Sequence, residues 1–176
     1  MSSFNANHGA LISLQEITSG NLKAVLALNV SPEQKLVYPR SNAYSIAEAH
    51  YPPDDDPVWM RAICADDIPV GFIMTSEAPD RGEYFLWRLM VGEEFQRKGY
   101  ASRAVELLIE RIALNNGKVL ITDHLEADGN AGEFYARHGF RYTGETLDGP
   151  ARVMARVMRR DFHVGGQGDT PGVGQS

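Results

Sequence analysis

Cysteine is all but missing: Cys64 stands alone among 176 residues. No disulfide framework can hold such a chain, and a buried thiol is the expected state of that side chain. Positive charge is also scarce, with 17 Lys and Arg against 23 Asp and Glu and a net charge of -6. That balance argues against a protein that grips nucleic acid with a basic surface. It is compatible with a cationic substrate, although mild acidity mostly serves solubility. No apolar run approaches the ~18 residues of a membrane span. The opening Met1-Ser2-Ser3-Phe4-Asn5-Ala6-Asn7-His8 lacks the basic and apolar regions of a signal peptide, so a cytoplasmic chain with no membrane partner is expected. His8, His50, His124, His138 and His163 show no ligand spacing with one another or with Cys64, and no metal site is expected. Walker-type Gly-Lys-Ser/Thr and Gly-x-Gly-x-x-Gly motifs are absent too.

What is present is ordinary for one globular domain. Hydrophobic residues make up 43% and charged residues 23%, and the length suffices to bury a core without metals or disulfides. Leu11 to Ile17 alternates as a first strand. Thr18 and Ser19 can cap a helix carrying Leu22, Val25, Leu26 and Leu28. Ser31-Pro32-Glu33 opens a short helix, and a third begins at Ser41 with Ile46 and Ala47 facing inward. The acidic loop Tyr51-Pro52-Pro53-Asp54-Asp55-Asp56-Pro57 stops it. Val58–Ala65 and Pro69–Ser76 read as a hairpin about Asp66-Asp67. The run Tyr84-Phe85-Leu86-Trp87-Arg88-Leu89-Met90-Val91 reads as a buried strand. Further on, Lys118–Thr122 is a strand and Ala131–His138 a short helix, while Phe140–Gly144 and Val153–Met158 form a closing hairpin. The order is β-α-α-β-β-β-α-β-α-β-β, an α+β sheet with helices on both sides. The domain covers residues 9–160, and the glycine-rich polar tail 163–176 has nothing to bury and is read as disordered.

The stretch from Val91 to Ala101 carries the first functional signal. After the strand comes Gly92-Glu93-Glu94-Phe95-Gln96-Arg97-Lys98-Gly99-Tyr100-Ala101. Then a helical period follows, with Ala101, Ala104/Val105, Leu108 and Ile112 on one face and Arg103, Glu106 and Glu110 on the other. A strand feeding a helix through a short loop aims the helix's free N–H groups and the positive end of its dipole beyond the strand end. Gly99 allows close backbone approach, Ala101 presents only a methyl, and Arg97 and Lys98 add charge. Such a place will bind an anion. The competing reading is a plain strand-to-helix turn with a solvated charge pair.

Gln96-Arg97-Lys98-Gly99-Tyr100-Ala101 resembles the Q/R-x-x-G-x-G/A signature of the GCN5-related N-acetyltransferase (GNAT) superfamily. Phe134-Tyr135-Ala136-Arg137-His138-Gly139-Phe140 is similar to that superfamily's aromatic-Tyr-x-x-x-Gly-Phe segment. The resemblance spans most of the chain, from the first strand to Met158. It implies a GNAT-type mixed, mostly antiparallel central sheet of about seven strands with helices on both faces. It also implies acetyl-CoA as acetyl donor, with Gln96, Arg97, Lys98, Gly99, Tyr100 and Ala101 on its diphosphate. Tyr135 would be the acid that protonates the leaving thiolate. A thiol with pKa ~8.5 and a phenol with pKa ~10 make that transfer nearly balanced. The superfamily often has an asparagine seven residues before this tyrosine to hold the pantetheine arm. Asp128 stands there instead, and Asn130, five before, is the candidate. Asp128-Gly129-Asn130-Ala131-Gly132-Glu133-Phe134-Tyr135 looks like the glycine-rich variant of the bacterial spermine/spermidine acetyltransferase-like branch. Leu36-Val37-Tyr38 through Ser45–Ala49 and Tyr84–Arg88 are similar to segments of that branch.

The expected reaction is therefore direct attack of a small molecule's primary amine, a diamine or polyamine, on the thioester. Aminoglycosides, amino acids, protein N-termini and a non-catalytic acyl-CoA sensor are the competing readings. Backbone N–H groups at Met90 and Val91 would hold the pantetheine and polarise the carbonyl, because a strand end that splays from its neighbour leaves donors unpaired. Glu83, at the entry of the central strand, is the candidate base. Arg88, a charge within an apolar strand, is expected in a structural ion pair ahead of a contact with a substrate carboxylate. Glu48, Asp54, Asp55 and Asp56 are either an entrance for a cation or a solvated acidic loop. A homodimer is implied by analogy with the superfamily only.

Overall fold

A computed structural model describes residues 9–37, 39–52, 55–125, 131–147 and 151–158. Seven strands form one sheet: β1 (Ile12–Gln15), β2 (Val58–Ala65), β3 (Ile68–Ala78), β4 (Glu83–Val91), β5 (Val119–His124), β6 (Arg141–Leu147) and β7 (Ala151–Val157). Their order is β1-β2-β3-β4-β5-β7-β6, antiparallel throughout except where β4 and β5 run parallel. The helices are α1 (Leu22–Ala27), α2 (Pro32–Val37), α3 (Asn42–Glu48), α4 (Tyr100–Leu114) and α5 (Ala131–Arg137). Three helices thus precede β2, where the condensed β-α-α pattern carries two.

Local chemistry explains most of these elements. Asp66 and Asp67 turn β2 into β3 with φ of 47° and 66°, the pair of left-handed residues that a two-residue hairpin turn requires. Asp66 also accepts from Leu11 N–H at 2.9 Å, lashing β1 to the turn. α4 buries Ala104, Val105, Leu108 and Ile112 against Ile63, Ile73, Leu86 and Leu120. Its outer face carries Arg103 between Glu106 and Glu110, both at 3.1 Å. The apolar stripe read from the periodicity is therefore the buried one. On the other face of the sheet, Val25 of α1 and Ile46 of α3 cover Ala62, Cys64, Phe72 and Met74. Cys64 is fully buried, and desolvation pushes its thiol pKa up, with the charge of Asp67 adding to the effect. It is a packing residue.

One inward face differs from expectation. Ala47 is exposed and Ile46 only partly buried, while Asn42 and Ser45 of α3 point inward. Asn42 Nδ2 donates to Val25 O at 2.8 Å, so a polar side chain ties the helix to α1 and sets its rotation.

A partly buried ion pair joins α4 to the sheet. Arg111 donates to both carboxylate oxygens of Glu77 at 2.7 and 3.0 Å, Thr75 Oγ1 adds a third bond at 2.7 Å, and the guanidinium lies 4.2 Å from the Trp59 ring centroid.

Candidate functional site

The site begins with one extra residue in β4. Met74 of β3 faces Arg88, but Thr75 faces Leu86, so Trp87 is a bulge. Beyond it β4 diverges from β5. Their pairing runs from Glu83↔Val119 to Leu86↔Thr122 and stops, whereas β5 stays paired with β7 as far as His124↔Arg152. Residues 88–91 therefore face a gap. The ladder decides which backbone groups look into it. Gly92 N–H donates to Val70 O at 2.9 Å, and in the same register Met90 and Arg88 turn their amides to β3. Leu89 and Val91 turn theirs to the gap. This corrects the expectation at Met90. Its side chain lines the cleft and accepts from Asn42 Nδ2 at 3.6 Å, but it is Leu89, with Val91, whose N–H faces the gap.

Across the gap lies the start of α4. Arg97 and Gly99 both adopt left-handed conformations, φ 61° and 80°, in the kind of turn that gathers amides into an anion-binding concavity. Gly99 caps the helix with no side-chain bond. Among the described residues, no protein acceptor meets the N–H groups from Arg97 to Ser102. Gln96 N–H, by contrast, is bonded to Glu93 O at 3.3 Å. A Cβ added to Gly99 would meet nothing within 4 Å, so the protein itself leaves that space open. Arg97 is exposed and has no carboxylate partner among the described residues.

Two side chains of this loop are placed otherwise than expected. Gln96 spends its amide hydrogens on Gln34 Oε1 (2.8 Å) and Val91 O (3.0 Å), so it braces the loop. Lys98 turns back to Glu94 O at 3.2 Å, lies 5.6 Å from the Phe95 ring centroid, and does not line the cleft.

Tyr135 lines the same cleft from α5. Its place is set by how that helix ends. Gly139 adopts φ 83°, its N–H donates to Ala136 O, and Phe140 N–H reaches back to Tyr135 O at 3.2 Å. The Tyr135 and Phe140 rings meet at 5.4 Å. That is a Schellman motif with its hydrophobic contact. The Tyr-x-x-x-Gly-Phe spacing is thus a helix stop that anchors the tyrosine.

Glu83 is not brought to the site. It begins β4, four residues or roughly 13 Å of strand before the bulge. It is half exposed, accepts from Arg81 Nε at 3.1 Å, and does not line the cleft. Asn130, Asp128 and Asp54 lie outside the described residues, as does the tail. Asp55 is exposed and Asp56 is paired with Arg81 at 2.9 Å. Neither borders the cleft. Arg88 forms the expected ion pair, with Glu48 at 2.8 Å, and its side chain is only 9% exposed.

Other lining residues were missed. Asp123 lines the cleft at the end of β5 on the face opposite the buried Leu120, Thr122 and His124. His124 Nδ1 is 3.0 Å from Leu125 O and Nε2 is 3.0 Å from the Tyr142 hydroxyl. A carbonyl can only accept, so Nδ1 carries a hydrogen. Neither residue has a spacing signal in the sequence. The whole cleft measures about 1960 Å³. Lys35, Arg40, Arg88, Arg97 and Arg137 line it against Glu33, Asp123 and Glu145. Among the described residues, the lining of this cleft therefore carries more basic than acidic side chains, which suits a polyanion.

A forked sheet thus faces a helix start with bare amides. Residues 22–140 match the family model described as "Acetyltransferase (GNAT) family".

The chain belongs to the acetyltransferase (GNAT) family.

It is an acetyl-CoA-dependent N-acetyltransferase. It is 29% identical over 157 residues to the spermine/spermidine N(1)-acetyltransferase of Bacillus subtilis, covering 84% of this chain and 99% of that one. The fold is similar to spermidine N-acetyltransferase from Vibrio cholerae, solved with CoA and spermine (TM-score 0.68, 13% identity, 84% of this chain and 95% of that one). It is likewise similar to the PaiA N-acetyltransferase from Thermoplasma acidophilum, solved with coenzyme A (TM-score 0.63, 16% identity, 84% and 99%). It also resembles the aminoglycoside 6'-N-acetyltransferase from Enterococcus faecium (TM-score 0.62, 22% identity, 85% and 97%).

Among the described residues, no group of three or more His, Cys, Asp or Glu side chains could hold a metal, and no helix is long and apolar enough to cross a membrane.

Proposed function

We propose that this GNAT protein acetylates a primary amine of a small cationic molecule, a diamine or polyamine, by direct attack on the thioester of acetyl-CoA. The observation that carries the reading is the row of unpartnered amides from Arg97 to Ser102 at the start of a 15-residue helix. Bare N–H groups and the helix dipole match a diphosphate. When bound, the co-substrate supplies an activated acetyl group. The chain supplies the rest. Leu89 and Val91 N–H hold and polarise the arm that enters the gap. Arg97 neutralises phosphate charge, and Tyr135 delivers a proton to the departing sulfur.

An amine of pKa ~10.4 must lose its proton at a cost of about 4–5 kcal/mol at pH 7. In place of Glu83, Asp123 is assigned to receive that proton through water, because it is a carboxylate at the mouth of the β4–β5 gap. Support for a cationic acceptor comes from the Bacillus subtilis relative and from Glu33 and Glu145 on the cleft, neither with a basic partner among the described residues. A second reading, an acceptor bearing a carboxylate, draws on Arg40 and Arg88, both in the cleft lining. The experiment is thiol release from acetyl-CoA with spermidine, putrescine, amino acids and an aminoglycoside. Preference for the polyamines is expected. Preference for amino acids would favour the second reading, and no acceleration by any of these amines would overturn the polyamine reading.

A further inference from the structure

The beginning of α2 and the loop that leads into α4 share one hydrogen-bonded seam. Ser31 Oγ accepts from Gln34 N–H, and Gln34 Oε1 accepts from Ser31 N–H, both at 3.3 Å. This is the Ser-x-x-Gln capping box. The same Oε1 accepts a second bond from Gln96 Nε2 at 2.8 Å, and the other hydrogen of that amide goes to Val91 O at 3.0 Å. These orientations are forced. A backbone carbonyl only accepts and a backbone N–H only donates, so Val91 demands the NH2 of Gln96 and Ser31 demands the oxygen of Gln34. Beside them Glu93 N–H donates to Asn29 O at 2.8 Å, and Lys35 Nζ reaches Asn29 Oδ1 at 2.9 Å. Residues 29–35, one wall of the cleft, are thereby bound to residues 91–96, which run directly into the bare amides.

Resting on the function proposed above, we propose that Gln34 is a positioning residue that couples the acceptor wall to the diphosphate loop. α2 has six residues, too few to be a stable helix by itself, so its order depends on what it is tied to. A ligand that fixes Arg97–Ser102 also fixes Gln96, the residue immediately before. Gln96 in turn holds Gln34 Oε1 and with it the cap of α2. Diphosphate binding therefore orders the wall that meets the amine, and the second ligand finds that ordering already done. No movement of the backbone is required.

Hydrogen exchange on the full chain with CoA as the probe tests this. In the wild type, CoA slows exchange at the amides of residues 97–102 and also slows residues 34–37 of α2, the latter by about two- to tenfold, the worth of one hydrogen bond. Gln34→Met, which keeps the length but not the acceptor, retains the slowing at 97–102 and loses it in α2. Gln34→Glu, which keeps acceptor oxygens, restores it. Ser31→Ala removes the cap and spares the Gln34–Gln96 bond, so α2 exchanges faster at the outset but still responds to CoA. Transmission that survives in Gln34→Met overturns the proposal, as does a Ser31→Ala variant that behaves like Gln34→Met. Slowing at 97–102 without slowing in wild-type α2 overturns the coupling and leaves the functional reading standing. Slowing at neither segment overturns both.

Discussion

Replacing Gly99 with alanine separates what the backbone needs from what the ligand needs. Gly99 has φ 80°, and an L-residue held in that region costs about 1–2 kcal/mol. For a chain of this size that is a fall in Tm of roughly 2–8 °C. No packing clash adds to it, since the new Cβ meets nothing within 4 Å. The protein should stay folded, because that loss is small beside a typical stability of about 5–15 kcal/mol. The methyl does, however, take up space on the cleft wall where the diphosphate is assigned, so CoA affinity should fall by at least about tenfold, or ~1.4 kcal/mol. Gly144 is the internal control. It has φ 89°, an equally open Cβ position, and no part in lining the cleft. Gly144→Ala should lose similar stability and bind CoA as the wild type does. Calorimetric titration gives the affinities and a thermal melt the stabilities. The reasoning is refuted if Gly99→Ala loses stability yet keeps wild-type CoA affinity.

Tyr135→Phe should lower kcat by about a hundredfold, the scale of a lost general acid, with the Kd for CoA changed less than about twofold. Steady-state kinetics and titration check this, and equal kcat removes the tyrosine from the mechanism. Glu83→Gln should leave kcat/KM unaltered and stability within about 0.5 kcal/mol, whereas Asp123→Asn should lower kcat/KM most at neutral pH and least at alkaline pH, where the amine is already free. The opposite pair of pH profiles would return the base to Glu83. Arg111→Met leaves the Glu77 carboxylate without its ionic partner and should cost about 1–3 kcal/mol in urea unfolding, and the Glu77→Gln/Arg111→Met double variant should recover most of it. A double variant no better than the single would mean that the pair contributes packing rather than charge.

Much of the fold was legible in residue patterns because the relevant forces are local. The α4 stripe, the Asp66-Asp67 turn and the Gly139 helix stop each need only a few neighbouring residues, and each lies where periodicity or turn chemistry puts it. The open amides at the start of α4 were legible for the same reason, since they belong to a helix start. What escaped depends on pairings distant in sequence. Whether Met90 or Leu89 offers its amide is decided by the β3 register and by a bulge at Trp87. The Gln96 side chain is engaged by Gln34, 62 residues earlier. Glu83 is a carboxylate on the central strand, but the gap opens only past Leu86↔Thr122, so a residue at the strand's beginning is at the wrong end. Asp123 and His124 carry no motif and become visible only when β5 is seen to outrun its pairing with β4. The inward turn of Asn42 likewise follows from a bond to Val25 O that no helical pattern encodes.

The central claim is that the N–H groups at the start of α4 receive the diphosphate. Backbone amide shifts of nitrogen-15-labelled protein, followed during titration with CoA and separately with pantetheine, test it most directly. Large shifts at Gly99, Tyr100, Ala101 and Ser102 with CoA, and none there with pantetheine, are predicted. Amides that stay unmoved under saturating CoA, or that shift equally with pantetheine, would contradict it.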